Sequence, residues 1–427
     1  MRDYEANRFG ARAARYIAVG AQAGGFAARL AGARLFGEAR HGETRSGDAE
    51  ALPLEYAEAL SSLQSAAPPM GSAFVRRRML AELGPDWREK FAAFDLNPAA
   101  AASLGQVHRA RTLDGADVAC KLQYPDMASA VEADLAQLDW ALAFQRRVEP
   151  AIDASQAAQE IADRLREELD YCREAKHARL YRAMLAGHDA IRVPGVHDEL
   201  STGRLLTLDW LAGEKVLALV NSPEAERNVV ARAIFHAWWA PFARFGIIHG
   251  DPHLGNYTVF REDGRPAGIN LLDYGCVRIF QPRFVGGVVQ LYRGLREERR
   301  DQTVDAYHIW GFRNLSNDLI EILTKWARFI LGPLLDDRER TVADGISPGA
   351  YGRREANEVH QMLREKGPVT IPREFVFMDR AAVGLGGAFL HLSARLNFHR
   401  LFEEALEDFD IAALAARQRE ALAREGL

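Results

Sequence analysis

The sequence predicts an α+β fold of two lobes, a small one that carries strands and a larger one that is mostly helix, preceded by a helical extension. Three observations predict it. Alternating runs at 106–111 and 117–123 flank Asp114-Gly115, a strong hairpin signal. A second hairpin pattern, 257–260 and 268–272 around Asp263-Gly264, falls far downstream. Elsewhere apolar residues recur mainly at helical spacing. The 427 residues therefore divide into a helical extension at 1–90, a strand-bearing lobe with inserted helices at 91–210, and a helical lobe at 211–427.

The extension opens with an Arg/Ala-rich amphipathic stretch to about Phe36, whose apolar face either packs on the body or meets a membrane or partner. A polar patch at 40–50 follows, and helical spacing returns over 54–63 and 71–83, punctuated by Pro68-Pro69 and Gly84-Pro85. Character changes at Phe91. The tract from Pro98 to Gln106 stands where a glycine-rich phosphate loop would precede a hairpin, yet it holds four alanines in a row. Alanine lacks glycine's φ freedom, so the tract read by itself favours helix, with Ser103 available as a cap. Helical segments then run from 126 to 186 with a break near Pro150. Residues 191–194 and 203–210 read as strands, the second apolar enough to be central in a sheet. Helix returns over 224–245, 247–256 reads as loop, and everything after 281 is helical.

Composition excludes several functions. A net charge of −5, from 54 basic and 59 acidic residues, gives no reason to expect nucleic acid as partner. With 48% hydrophobic and 26% charged residues, pervasive disorder is excluded. Three cysteines make neither a paired framework nor a metal-ligand spacing, which suits a reducing compartment. No window of 18 uncharged apolar residues exists, and no signal peptide is recognised. The expectation is a cytoplasmic protein whose early arginines allow peripheral membrane contact. Only six of the 54 basic residues are lysines, so each lysine is worth reading individually.

The sharpest chemical signal is His249-Gly250-Asp251-Pro252-His253-Leu254-Gly255-Asn256, followed by a hairpin and then Asp273-Tyr274-Gly275. Phosphoryl transfer needs a carboxylate beside the attacking oxygen, and oxygen ligands that hold a divalent metal on the phosphates. Asp251 fits the first role; Asn256 and Asp273 fit the second. His249 and His253 flank Asp251 and raise a zinc or iron reading. The apolar run before His249 points instead to a buried structural imidazole.

Lys121 lies in the second strand of the first hairpin. Alternation sets Val118, Cys120 and Leu122 on one face, and Ala119, Lys121 and Gln123 on the other. A lysine in a partly buried strand requires an anion, and an ATP phosphate and a helix carboxylate are the natural partners. Glu167, Glu168, Asp170 and Glu174 are the candidates for that carboxylate, and Glu168 with Asp170 is the expected choice.

From about Leu52 to Glu404 the chain resembles the UbiB/AarF (ADCK-type) atypical kinases. The resemblance rests on Pro53–Pro69, the alanine-rich loop Ala99–Gln106, Val118–Pro125, Glu168–Ala175, Leu206–Gly213, His249–Asn256, Asp273–Gly275 and Arg380–Asn397. It implies a protein-kinase-like fold that binds ATP and Mg2+ between two lobes, with ATPase or phosphotransferase activity. It also implies support of ubiquinone or other prenyl-lipid metabolism, with lipids or lipid-biosynthesis proteins as partners. By the same resemblance Lys121 contacts the phosphates and pairs with Glu168, Asp251 is the catalytic-loop carboxylate, and Asn256 and Asp273 hold magnesium. Ala100, Ala101, Ser103 and Gln106 belong to the nucleotide loop, and Leu208 and Asp209 to the segment that meets adenine. One departure stands out. Where the family's extension carries Lys-x-Gly-Gln, this chain has Arg40-His41-Gly42-Glu43, which either changes nucleotide selectivity or gating or marks a plain linker. Tyr274 also replaces the phenylalanine of Asp-Phe-Gly. Two other functions stay open at this point. One is a small-molecule kinase of the aminoglycoside/choline type, whose loop also reads His-x-Asp-x-x-x-x-Asn but against which the alanine loop argues. The other is a non-catalytic nucleotide-sensing scaffold.

Overall fold

The computed structural model describes residues 70–136 other than 103, 130 and 134, together with 162–163, 166–313, 315–344 and 372–427. The amphipathic stretch to Phe36, the Arg40–Glu43 tetrapeptide, the break near Pro150 and Ser103 lie outside the described residues. Packing divides the chain into two units, Met1–Ala175 with Val196–Trp210, and Lys176–Gly195 with Leu211–Leu427. Strands and helices are numbered separately along the chain.

The first unit is built on an antiparallel sheet. Strands β1 (Phe91–Phe94), β3 (Gly105–Thr112), β4 (Asp117–Gln123) and β6 (Leu205–Asp209) lie in that order, and β2 (Ala100–Ala102) pairs with β3. The β3–β4 turn uses Gly115 at φ 92°, a conformation that glycine reaches without strain. Alternation along β4 works as the sequence predicts: Val118, Cys120 and Leu122 are fully buried. They meet Val75 and Met79 of helix α1 (Ser72–Leu83), with Trp87 and Phe91, in one core. Ala119 and Lys121 are left on the other face.

Two local expectations are corrected in this unit. The alanine tract forms strand β2 rather than helix, with Ala100, Ala101 and Ala102 opposite Val107, Gln106 and Gly105. Between Pro98 and Gly105 there is too little chain to repay helix nucleation, whereas β3 offers ready backbone partners. Strand β6 ends the sheet instead of lying at its centre. Its apolar residues are buried because the preceding segment covers its outer edge, through a Val196–Leu208 bridge and a His197 N–H donated to the Thr207 carbonyl at 2.9 Å.

The second unit carries a four-stranded sheet in the order β5 (Ile191–Arg192), β10 (Arg265–Leu271), β9 (Tyr257–Glu262), β7 (Glu214–Lys215). The β9–β10 turn places Asp263 at φ 49° and Gly264 at φ 77°, as an Asp-Gly hairpin turn requires. Residues 247–249, expected as loop, form strand β8 (Ile247–His249), which pairs antiparallel with β11 (Val277–Ile279). Helix α2 (Tyr171–Met184) begins in the first unit, and the division falls after Ala175. It is followed by α3 (Glu224–Phe245), α4 (Pro282–Arg296), α5 (Arg300–Trp310), α6 (Asn317–Leu335), α7 (Arg373–Leu392), α8 (Phe398–Ala405) and α9 (Ile411–Glu425). Helix α3 is the hub, burying Phe235, Trp238, Trp239 and Phe242. It stops at Gly246, φ 66°, a left-handed cap that glycine takes at no steric cost. No helix among the described residues is long and apolar enough to cross a membrane.

Candidate active site

In the first unit the Lys121 ammonium donates to both carboxylate oxygens of Glu174, at 2.6 and 2.9 Å. The two side chains are 13% and 3% exposed, and the ammonium also lies over the Tyr171 ring at 5.2 Å from its centroid. Glu174 is therefore the carboxylate bonded to Lys121, where the sequence favours Glu168. Glu168 precedes the start of α2, while Asp170 accepts the Arg173 N–H at 3.0 Å in the manner of a cap. Glu174 is one turn inside the helix, on a buried stripe with Tyr171, Ala175 and Ala178. A carboxylate at i+3 on an apolar stripe is the signal that would have found it, since such a charge needs a buried partner.

Strand register sorts the remaining first-unit residues. Lys121 lies opposite Val107 on β3 and Leu206 on β6, and Leu208 lies opposite Ala119, so Leu208 shares the face of Lys121. Gln106 lies opposite Leu122 and faces the core, which corrects its assignment to the nucleotide loop. Its amide oxygen instead accepts the Met70 N–H at 2.7 Å, and its nitrogen meets His108 Nε2 at 2.8 Å. Asp209 pairs across from Val118, and its carboxylate meets His197 Nε2 at 2.9 Å. Ala100 and Ala101 are exposed on β2. Gly105 cannot be replaced cheaply, because an added Cβ would overlap the Leu122 carbonyl oxygen.

The second unit fixes Asp251, Asn256 and Asp273 through a compact set of ties. Pairing of β8 with β11 brings the 250–256 loop beside the 272–276 loop. Gly250 N–H donates to the Cys276 carbonyl at 2.7 Å, and Leu272 N–H to the Asn256 carbonyl at 3.0 Å. His249 is buried and its Nε2 donates to the Asp273 carbonyl at 2.6 Å, while Nδ1 faces the Asp251 N–H at 3.3 Å. One tautomer, with hydrogen on Nε2, satisfies both contacts. Trp238 Nε1 donates to the His249 carbonyl at 3.1 Å and ties the loop to α3. Gly250 is required by close approach: a Cβ there would lie 2.6 Å from the Cys276 oxygen.

Asp251 is oriented by two donors, the His253 N–H at 3.3 Å and the Asn256 amide nitrogen at 3.1 Å. The same amide nitrogen also donates to the Asp251 carbonyl, so the oxygen of Asn256 is the end left to act as a ligand. Asp273 accepts the Gly275 N–H at 3.0 Å. Tyr274 is buried, donates its hydroxyl to the Leu271 carbonyl at 2.6 Å, and takes a hydrogen bond on its own carbonyl from His177 at 3.1 Å. Beneath the loop, burial first and the Asp251 charge second push the Tyr257 phenol above its ordinary value. After β6, the buried Asn270 amide donates to the Ala212 carbonyl at 3.0 Å and to Thr258 at 2.9 Å, fixing that segment against β9.

The donor set suits magnesium. Asn256 and Asp273 offer oxygen only, and a magnesium ion takes one or two such ligands and fills its octahedron with phosphate oxygens and water. It does not suit a closed zinc site. Both imidazoles of the His-x-Asp-x-His run are engaged with backbone, His253 Nδ1 accepting the Gly255 N–H at 3.0 Å. Among the described residues no group of three His, Cys, Asp or Glu is placed to hold a metal.

The chain is similar to several known proteins. Residues 62–306 match the family model for the ABC1 atypical kinase-like domain. The atypical kinase COQ8, mitochondrial, of Saccharomyces cerevisiae is 29% identical over 366 residues, which are 84% of this chain and 70% of the yeast protein. Protein ACTIVITY OF BC1 COMPLEX KINASE 8, chloroplastic, of Arabidopsis thaliana is 30% identical over 278 residues, 64% of this chain but only 36% of that protein. Among solved structures, Rv3197 of Mycobacterium tuberculosis, determined in complex with erythromycin, superposes with a TM-score of 0.63 at 26% identity, covering 83% of this chain and 88% of that one.

Proposed function

This chain belongs to the ABC1 atypical kinase-like family, the UbiB proteins, and on that premise we propose an ATP-dependent phosphotransferase or ATPase that supports ubiquinone or other prenyl-lipid metabolism. The observation that carries the reading is the fixed placement of Asp251, Asn256 and Asp273 by backbone ties between their two loops. Lys121, oriented by Glu174, presents its ammonium to phosphate oxygens. Asn256, through its amide oxygen, and Asp273, through its carboxylate, hold magnesium, which when bound neutralises charge on the phosphates. Asp251 accepts the proton of the attacking hydroxyl or water, its carboxylate kept in one orientation by the His253 N–H and the Asn256 amide. The relatives carry mitochondrial and chloroplastic in their names. For this chain the proposed setting is the cytoplasm with peripheral contact at a membrane surface, and prenyl lipids or their biosynthetic proteins are the proposed partners.

The test is nucleotide binding and hydrolysis by the purified chain with magnesium, with and without lipid vesicles. Asp251→Asn is expected to lower kcat by roughly 10²–10⁴-fold, the usual worth of a positioned proton acceptor, while ATP still binds. Wild-type protein that neither binds nor hydrolyses ATP under either condition would sink the proposal.

A further inference from the structure

The second unit contains a cavity of about 100 Å3 that the proposed chemistry does not use. It lies among α3, α4, α5, α6, α7 and α8, and every residue lining it is apolar, with Trp239, Trp310, Trp326, Phe329 and Phe389 the largest. Helical interiors normally close to crystal-like density, so a void of this size calls for a cause. Two features of the sequence supply one. Pro333 lies inside α6 and lacks the N–H that would bond the Phe329 carbonyl one turn earlier. Across from it α7 offers Ala382 and Gly386, one turn apart, where longer side chains would fill the space. Walls of this kind offer water no hydrogen-bond partner, and a wholly enclosed apolar cavity of about 150 Å3 stays dry and accepts benzene.

The cavity also opens outward. Trp326, Phe329 and Ile330 on α6 are only half-buried, and Val383 on α7 is 44% exposed. Lys325 and Arg328 stand exposed beside Trp326 and Phe329 on the same helix. An occupant must therefore be apolar at one end, because the lining side chains offer no oxygen and no polar group beyond indole N–H. It gains from a negative charge at the other end. That combination disfavours a peptide, whose backbone groups would lose their partners.

We propose that this cavity binds the aliphatic chain of an anionic single-chain amphiphile, acyl or isoprenyl, with the carboxylate or phosphate toward Lys325 and Arg328 on α6. The three tryptophans in the lining make the site directly observable. The experiment titrates the full-length chain with 11-bromoundecanoic acid below its micellar concentration and follows tryptophan quenching, with dodecanoate and farnesyl phosphate as competitors. Saturable quenching is expected, relieved by at least one competitor, and the stronger competitor identifies the source of the chain. Ala382→Phe fills the cavity and should weaken binding at least tenfold, with Tm unchanged or higher. A Lys325→Glu/Arg328→Glu variant should weaken the acid severalfold but leave 11-bromoundecanol unaffected, and it keeps the test valid should Ala382→Phe fold poorly. Quenching that never saturates, that neither competitor relieves, or that survives Ala382→Phe overturns the proposal. The readout uses no nucleotide, so its failure and a failure of ATP hydrolysis are separate results.

Discussion

Replacing Glu174 by glutamine preserves the volume of the buried stripe on α2 and removes the charge that faces Lys121. Both side chains are mostly out of water, 13% and 3% exposed, with Nζ 2.6 Å from the nearer oxygen. Removing one partner of a buried pair costs about 3–5 kcal/mol, because the remaining ion keeps its desolvation penalty. Lys121 retains some access to solvent and glutamine still offers an oxygen, so the lower end, about 3 kcal/mol, is expected. At roughly 2–4 °C per kcal/mol for a domain of 150–250 residues, the first unit should lose roughly 6–12 °C in Tm. The assay is thermal unfolding of a double-mutant cycle built from Lys121→Met and Glu174→Gln, with an expected coupling of about 2–3 kcal/mol. The same cycle run with Glu168→Gln should return the smaller coupling. A Glu174 coupling below about 0.5 kcal/mol, or a larger one for Glu168, would refute the assignment.

Three further outcomes can be checked. Gly250→Ala puts a Cβ 2.6 Å from the Cys276 oxygen, where ordinary contact begins at 3.4 Å, so β8 and β11 must part by roughly 0.8 Å (3.4 − 2.6). Misplacement on that scale costs on the order of 10²-fold in rate, so hydrolysis within about threefold of wild type would contradict the tight pairing. Stability should fall in mild acid: burial lowers the pKa of His188 and of His236, whose rings lie 5.7 Å apart, and also that of His108. The unfolded chain takes up protons first as pH drops through about 6.5, and the folded chain lags, so stability is full above that pH and declines below it. Tm measured at about pH 7.5 and 5.5 shows the decline, and His236→Phe should flatten it; an unchanged slope counts against the account. Asn270→Leu leaves the Ala212 carbonyl without its donor and should cost about 1–3 kcal/mol in chemical denaturation, an unmoved midpoint being the contrary result.

What the sequence reveals and what it hides follow from the range of the forces involved. The two Asp-Gly turns, the faces of β4 and the full length of α3 are legible because alternation, helical spacing and turn chemistry act over a few residues. The grouping of Asp251, Asn256 and Asp273 is legible from the same short range, since one hairpin separates them. Other features needed distant chain. The alanine tract becomes strand because β3 is there to pair with it, and β6 is buried at an edge because 196–200 lies over it. Gln106 looks like a nucleotide ligand until register turns it toward the core. Glu174 was hidden by its neighbours, since four carboxylates lie within eight residues and only helix phase distinguishes the buried one.

Tyr274 has a consequence for chemical control of this protein. In protein kinases the aromatic residue after the metal-binding aspartate sets active and inactive arrangements by how it packs. Here its hydroxyl is bonded to the Leu271 carbonyl, its own carbonyl to His177, and the preceding Asp273 carbonyl to His249. Swinging the ring outward would break the hydroxyl bond at once and strip a buried phenol of its partner. An inhibitor that waits for a vacated aromatic pocket would therefore find little to bind. The segment from Asp273 to Gly275 is therefore a poor target for compounds that act by trapping a displaced aromatic ring.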